Sequence, residues 1–129
     1  MYGELVAVLE SMPRLDRPRA LALADSLAQR GSEERLELFI DLFDAGLARL
    51  ARSGAVGAAP PEAAEGEART LCRLSPDPHA ARLWAERATE LSGRLRHGRA
   101  VNLDPAALVL DTLTKLNDTA RDTTSRAHA

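Results

Sequence analysis

The side chains that could carry chemistry are few: His79, His97, His128 and Cys72, the carboxylate pairs Glu33/Glu34 and Glu65/Glu67, and the arginines Arg94, Arg96 and Arg99. Zinc chemistry on a helix needs ligands such as two histidines at i and i+4, so that both imidazoles leave the same face. No histidine here has such a partner. His79 falls near a helix start, His97 near a helix end and His128 in the tail, which suits solvent or capping roles. Cys72 sits beside Leu71 and Leu74, with no histidine nearby and only Arg69 and Arg73 as basic neighbours. It reads as a small buried hydrophobe rather than a reactive thiol. Gly54-Ala55-Val56-Gly57 lacks the lysine and the preceding strand of a phosphate-cradling loop. The carboxylate pairs read as solvated helix faces, without the burial that an acid–base pair requires. These patterns predict no catalytic residue, no cofactor site and no metal site.

The arginine group could meet phosphate. It has no interleaved aromatic side chains, and it lies at a helix C-terminus, where positive charge offsets the helix dipole. A helical nucleic-acid-binding or stand-alone adaptor domain using Arg94, Arg96 and Arg99 is therefore the competing functional class.

The elements that must position these residues read as helices. At 129 residues the chain suits one domain burying roughly two-thirds of its unfolded surface. Alanine, leucine, arginine and glutamate dominate, all good helix formers, while β-branched and aromatic runs are missing. Net charge is −2, so nothing draws the chain as a whole to nucleic acid or an anionic membrane. One cysteine rules out an internal disulfide and suits a reducing compartment. Leu5–Leu9 is too short to span a bilayer and has no basic leader, so the expected location is the cytoplasm. Tyr2-Gly3-Glu4-Leu5 already looks like a helix in progress, which suggests an excised domain.

The spacing predicts an all-α, single compact bundle of five to six helices over 1–121, with 122–129 as a polar, disordered tail. A first helix, Glu4–Met12, stops at Pro13. Asp16 caps a second, with Pro18 in its first turn and Gly31 ending it. Ser32 opens a third, about Glu33–Arg52, in which Leu36, Phe39, Ile40, Phe43, Leu47 and Leu50 share one face. Leu38 and Leu42 fall outside that stripe and either widen it or mark a second contact surface. Ser53–Pro61 reads as a mobile linker. A short helix, about Ala63–Leu74, follows, with Gly66 weakening its start. Asp77-Pro78 restarts the chain into a long helix that Gly98 ends near His97, with Ala81, Trp84, Ala88, Leu91 and Leu95 as its core stripe. Glu90 and Arg94 stand at a favourable i, i+4 spacing. The last helix has Asp104 as cap and Pro105 at its first position. Its central stripe is Ala106, Val109, Leu113, Leu116 and Ala120, flanked by Leu108 and Leu110. That apolar arc spans roughly 200°, wider than the ~100° needed against one core.

Val101–Leu116, V-N-L-D-P-A-A-L-V-L-D-T-L-T-K-L, resembles the closing segment of bacterial DNA polymerase III clamp-loader subunits of the delta-prime class. Met12–Asp25 (M-P-R-L-D-R-P-R-A-L-A-L-A-D), Leu47–Gly54 (L-A-R-L-A-R-S-G) and the W-A-E-R-A-x-x-L core at Trp84–Leu91 extend the resemblance over nearly the whole chain. It implies a C-terminal collar domain. Such domains pack side by side in a five-membered ring, so that a sliding clamp can be loaded during DNA replication. The implied partners are the other clamp-loader subunits, of delta and gamma/tau type, with DNA met only through the complex and no membrane contact. The parent complex is a DNA-directed DNA polymerase, a nucleotidyltransferase, whereas the delta-prime class does not itself hydrolyse ATP. The family's zinc and nucleotide-binding modules are missing here. Its Ser-Arg-Cys motif is not matched either, since Ala127 follows Ser125-Arg126. The expected contact surface for neighbours is Leu108, Leu110 and Leu113 on the last helix with Leu38 and Leu42, while Trp84, Leu91, Phe39 and Phe43 form core. Asn102 is expected to satisfy backbone groups where the last helix begins.

Overall fold

The computed structural model describes residues 1–127, with side chains to residue 124, and folds them into six helices with no strand among them. They are α1 (Tyr2–Ser11), α2 (Arg17–Ala28), α3 (Glu33–Val56), α4 (Glu67–Leu74), α5 (Pro78–Ala100) and α6 (Pro105–Ala127). The all-α bundle expected from composition and periodicity is the fold observed. His128 lies outside the described residues, as do the side chains of Ser125 and Arg126.

α3 and α5 form the longest packed pair, and α6 lies against α5, α2 and α4. The stripe Leu36, Phe39, Ile40, Phe43, Leu47 and Leu50 is buried along α3. Facing it are Trp84, Leu91 and Leu95 of α5, while Val109, Leu113, Leu116 and Ala120 of α6 join the same core from the side of α2 and α5. Each of the large side chains contributes about 1.5–3 kcal/mol on leaving water, so the α3–α5 seam is a main source of hydrophobic stabilisation. Trp84 is fully buried. Its indole N–H donates to the Leu74 carbonyl at 2.8 Å, supplying one of the partners that the last turn of α4 lacks.

Helix starts follow the caps in the sequence. The Asp16, Asp77 and Asp104 carboxylates accept from the amides of Arg19, Ala80 and Ala107, at 3.1, 2.8 and 3.1 Å. Ser32 precedes α3 but does not cap it with its side chain. Its hydroxyl turns back and donates to the carbonyls of Leu27 (3.2 Å) and Gln29 at the end of α2. Gly66, which has no side chain, precedes α4. Glu62 caps that helix from four residues upstream by accepting from the Ala68 amide at 3.0 Å.

Helix ends depart from the sequence reading in three places, each because packing overrides a glycine or a polar run. α3 continues past Ser53 and Gly54 to Val56 and stops at Gly57 (φ 82°). Ser53 and Gly54 are buried there, against the segment that leads into α5. α5 continues through Gly98, where Leu108 and Leu103 lie over the bare backbone. α6 does not fray at Arg121 but runs on to Ala127. Thr123 is buried within the continuation, so 122–127 is helix rather than a disordered tail.

Asn102 is not at the start of α6 but closes α5. It adopts φ 60°, its amide donates to Arg99 O (3.2 Å), and the Leu103 amide donates to Gly98 O (2.9 Å). This is the paired closure of a helix end on a left-handed residue, with Leu103 folded back over Gly98. Asparagine tolerates that conformation and β-branched residues do not. Asn102→Val should therefore lower stability by about 1–2 kcal/mol while Asn102→Gly leaves it nearly unchanged, read as midpoints of urea unfolding.

Candidate subunit interface

α6 carries a broad apolar arc because its own domain surrounds it. Leu113 is fully enclosed, and Leu108 is 8% exposed, seated on the bare backbone of Gly98. Neither offers surface to a neighbour. This corrects the expectation that the last helix holds apolar surface in excess of what its bundle covers. α2 and α4 supply the cover that the sequence could not assign to them. Leu110, only partly buried, also packs against the core. Three of the polar side chains buried on α6 are satisfied locally: the hydroxyls of Thr112, Thr119 and Thr123 donate to the carbonyls of Leu108, Lys115 and Ala120 at 2.9–3.1 Å. The Oδ1 of buried Asn117, by contrast, has no hydrogen-bond partner among the described residues.

The uncovered apolar surface lies on α3 and at the α5–α6 turn. Leu38 is 48% exposed, and Leu42, one turn further along the same face, is partly buried. Val101 and Leu103 are each 52% exposed at the turn. Leu21 of α2 is also exposed. Of the proposed contact residues the bundle thus leaves Leu38 exposed and Leu42 and Leu110 partly accessible. Leu38 and Leu42 stand beyond the edge of the core stripe rather than inside it.

The arginine group does not stand free. Arg94 pairs with Asp111 of α6 at 2.8 Å, Arg96 with Asp44 and, at 3.9 Å, Asp41 of α3, and Arg99 with Glu37 of α3 at 3.0 Å. Each guanidinium stands opposite a carboxylate, Arg94 across the α5–α6 contact and Arg96 and Arg99 across the α3–α5 contact, so the local field is close to neutral. The pairs are about half exposed, where an ion pair contributes about 0–1 kcal/mol. Glu90, expected to pair with Arg94, pairs with Arg87 at 3.3 Å instead. Three-dimensional neighbours win over the i, i+4 partner.

His79 and His97 are exposed, and Cys72 is exposed rather than buried as its leucine neighbours suggested. Leu71 and Leu74 point inward on either side of it. Among the described residues, no three or more metal-ligating side chains gather, and no helix is long and apolar enough to cross a membrane.

Sequence reasoning missed one constellation. Glu67, read as part of a solvated face, is 1% exposed. Its carboxylate accepts from Arg49 Nε (2.7 Å) and Nη2 (2.6 Å), from the Ala63 amide (2.8 Å) and from the Tyr2 hydroxyl. Arg49 Nη2 also donates to the Pro61 carbonyl at 2.6 Å. Burial pushes the Glu67 carboxyl upward, but the hydrogen bonds from Arg49, the Ala63 amide and Tyr2 outweigh it and hold the pKa below the usual carboxylate value. Burial also raises the Tyr2 phenol, and the adjacent Glu67 carboxylate raises it further. Arg49 is held protonated chiefly by its hydrogen bond to Glu67. A signal for this was available: Glu67, Thr70, Leu71 and Leu74 share one helical face, and the last three are buried.

Comparison with family models, with curated proteins and with solved structures finds no match to this chain in any of the three.

Proposed function

We propose that this chain is a non-catalytic assembly domain, a helical bundle that packs against related subunits in a clamp-loader collar of the delta-prime class. In that role it helps a cytoplasmic DNA polymerase III machine to load its sliding clamp. The observation that carries the reading is Leu38, a leucine 48% exposed with Leu42 on the same face, on a bundle whose other long apolar stripes are enclosed. The all-α bundle agrees with it, as does the resemblance of Val101–Leu116 to the closing segment of that family. The work of such a domain is physical: apolar area leaves water at about 25 cal/mol per Å², while shape and rim charge select the neighbour.

The test is co-elution of the domain with delta- and gamma/tau-type subunits. Leu38→Asp should keep the helical circular dichroism and unfolding midpoint of the parent, because the side chain contributes little to the core. Association should weaken at least tenfold, about 1.4 kcal/mol, since a carboxylate would have to be desolvated in the interface. Unchanged co-elution of the variant, or no association of the parent chain, overturns the proposal. Salt-dependent binding to DNA that is lost on removing Arg94, Arg96 and Arg99 would point to the nucleic-acid class instead.

A further inference from the structure

Four parts of the chain converge on the Glu67 carboxylate: the start of α1 through Tyr2, the middle of α3 through Arg49, the connection between α3 and α4 through Ala63, and α4, which carries Glu67 itself. Arg49 extends the same set to Pro61, so the 57–66 connection is held at two points by one ion pair. Tyr2 makes no hydrogen bond to Pro61 or Ala63. It reaches them only through the groups that they share, the Glu67 carboxylate and the Arg49 guanidinium.

Beside the apolar packing of Leu5, Leu9, Leu71 and Leu74 in the core, the other polar contacts between α1 and α4 are exposed or lie at the far end of α1. Arg69 and Glu10 pair at 2.9 Å in the open, with side chains 76% and 47% exposed, where water competes strongly. Arg73 donates to the carbonyls of Met12 (2.7 Å) and Glu10 (2.9 Å), which ties the far end of α1 but not its start. α1 and α4 are also the two shortest helices, ten and eight residues, below the length at which a helix holds itself together in water.

We propose that the buried Glu67 carboxylate is a coupling device, joining the N-terminal turn of α1 to the 57–66 connection so that loosening either one loosens the other. The physical basis is that the phenol and the guanidinium share one fixed, desolvated acceptor from which water is excluded. When the phenol leaves, water enters, and the carboxylate and Arg49 gain freedom to move away from Ala63 and Pro61. α5 and most of α6 lie outside the network and stay closed.

Amide hydrogen exchange on the full chain tests this, with the Leu91 amide in α5 as internal reference. Tyr2→Phe keeps the ring over Gly46, where a Cβ would lie 3.3 Å from Tyr2 Cε1, and removes only the hydroxyl. The exchange rate of Ala63 relative to Leu91 should rise at least about fivefold, although residue 2 makes no hydrogen bond to residue 63. Coupling is reciprocal, so Arg49→Gln, which releases the connection, should raise the rates of Leu5 and Val6 relative to Leu91 by a similar factor. A Tyr2→Phe ratio for Ala63 equal to that of the parent overturns the proposal. It does so even if all amides speed up together, because the ratio, not the rate, is read.

Discussion

Glu67→Ala is expected to lower the unfolding free energy by about 3 kcal/mol, a fall in Tm on the order of 10 °C for a domain of this size. The cost comes from what the substitution leaves behind. The carboxylate accepts four hydrogen bonds, from two nitrogens of Arg49, from the Ala63 amide and from the Tyr2 hydroxyl. Removing it strands a guanidinium and two neutral donors at a site where the acid itself is 1% exposed. Arg49 is 26% exposed and recovers some hydration, which places the cost near the lower end for a broken buried pair. Glu67→Gln should cost less, because the amide oxygen can still accept from one donor.

The same centre sets two edges of the pH profile. Glu67 has a folded-state pKa below its unfolded value, so its contribution is fully present above the unfolded value, about 4.3, and is lost as pH falls through the folded one. Tyr2 shifts the opposite way: its contribution is present below about 10 and is lost as pH rises through its raised folded value. In Glu67→Gln the acid edge should flatten, and the single tyrosine should ionise closer to pH 10 in an ultraviolet absorbance titration. A parent whose stability does not change between pH 5 and pH 3, or a tyrosine that ionises at the same pH in both proteins, would refute this account of the site.

Much of the fold is legible where a residue's role depends on neighbours within one or two turns, although Ser32 and Asn102 depart from their local reading. Asp16, Asp77 and Asp104 cap the helices that their positions announce, and the α3 stripe from Leu36 to Leu50 is buried as its 3.6-residue period requires. What cannot be read locally is which partner covers a given face. A wide apolar arc on α6 looks the same whether α2 and α4 or a second subunit supplies the cover, so Leu108 and Leu113, expected at an interface, are core. Leu38 is open to either reading in the sequence and is accessible in the structure. The charged residues follow the same logic. Arg94 abandons its i, i+4 neighbour for Asp111. Although Glu67 shares a helical face with Leu71 and Leu74, the guanidinium that satisfies it lies eighteen residues away in sequence, and no local pattern encodes either partner.

Gly54 and Gly93 make the same distinction measurable, because each is a glycine inside a long helix and they should respond to alanine with opposite signs. At Gly93, on the exposed side of α5, an added Cβ meets nothing within 4 Å. Alanine there should stabilise by about 0.5–1 kcal/mol, through the backbone freedom that glycine forfeits on folding. At Gly54 in α3, a Cβ would lie 2.6 Å from the Asp77 carbonyl oxygen, closer still to Ser75 Oγ, and 3.0 Å from Ala81 Cβ. The Ser75 hydroxyl can rotate away. The Asp77 carbonyl cannot, because it accepts from the Ala81 amide at 3.0 Å in the first turn of α5. Relief therefore requires α3 and α5 to separate locally, which also loosens Trp84 and the Leu74 carbonyl that it satisfies. Overpacking of this kind costs about 1–3 kcal/mol, from which the gain in helix propensity must be subtracted. The expected net loss is about 1–2 kcal/mol for Gly54→Ala, and about 3 kcal/mol or more for Gly54→Val, whose branched Cβ adds bulk where no side chain can give way. Urea unfolding of the three variants decides it. A Gly54→Ala midpoint at or above that of the parent would mean that the α3–α5 contact yields without cost, and that the continuation of α3 through Ser53 and Gly54 is not held by close packing.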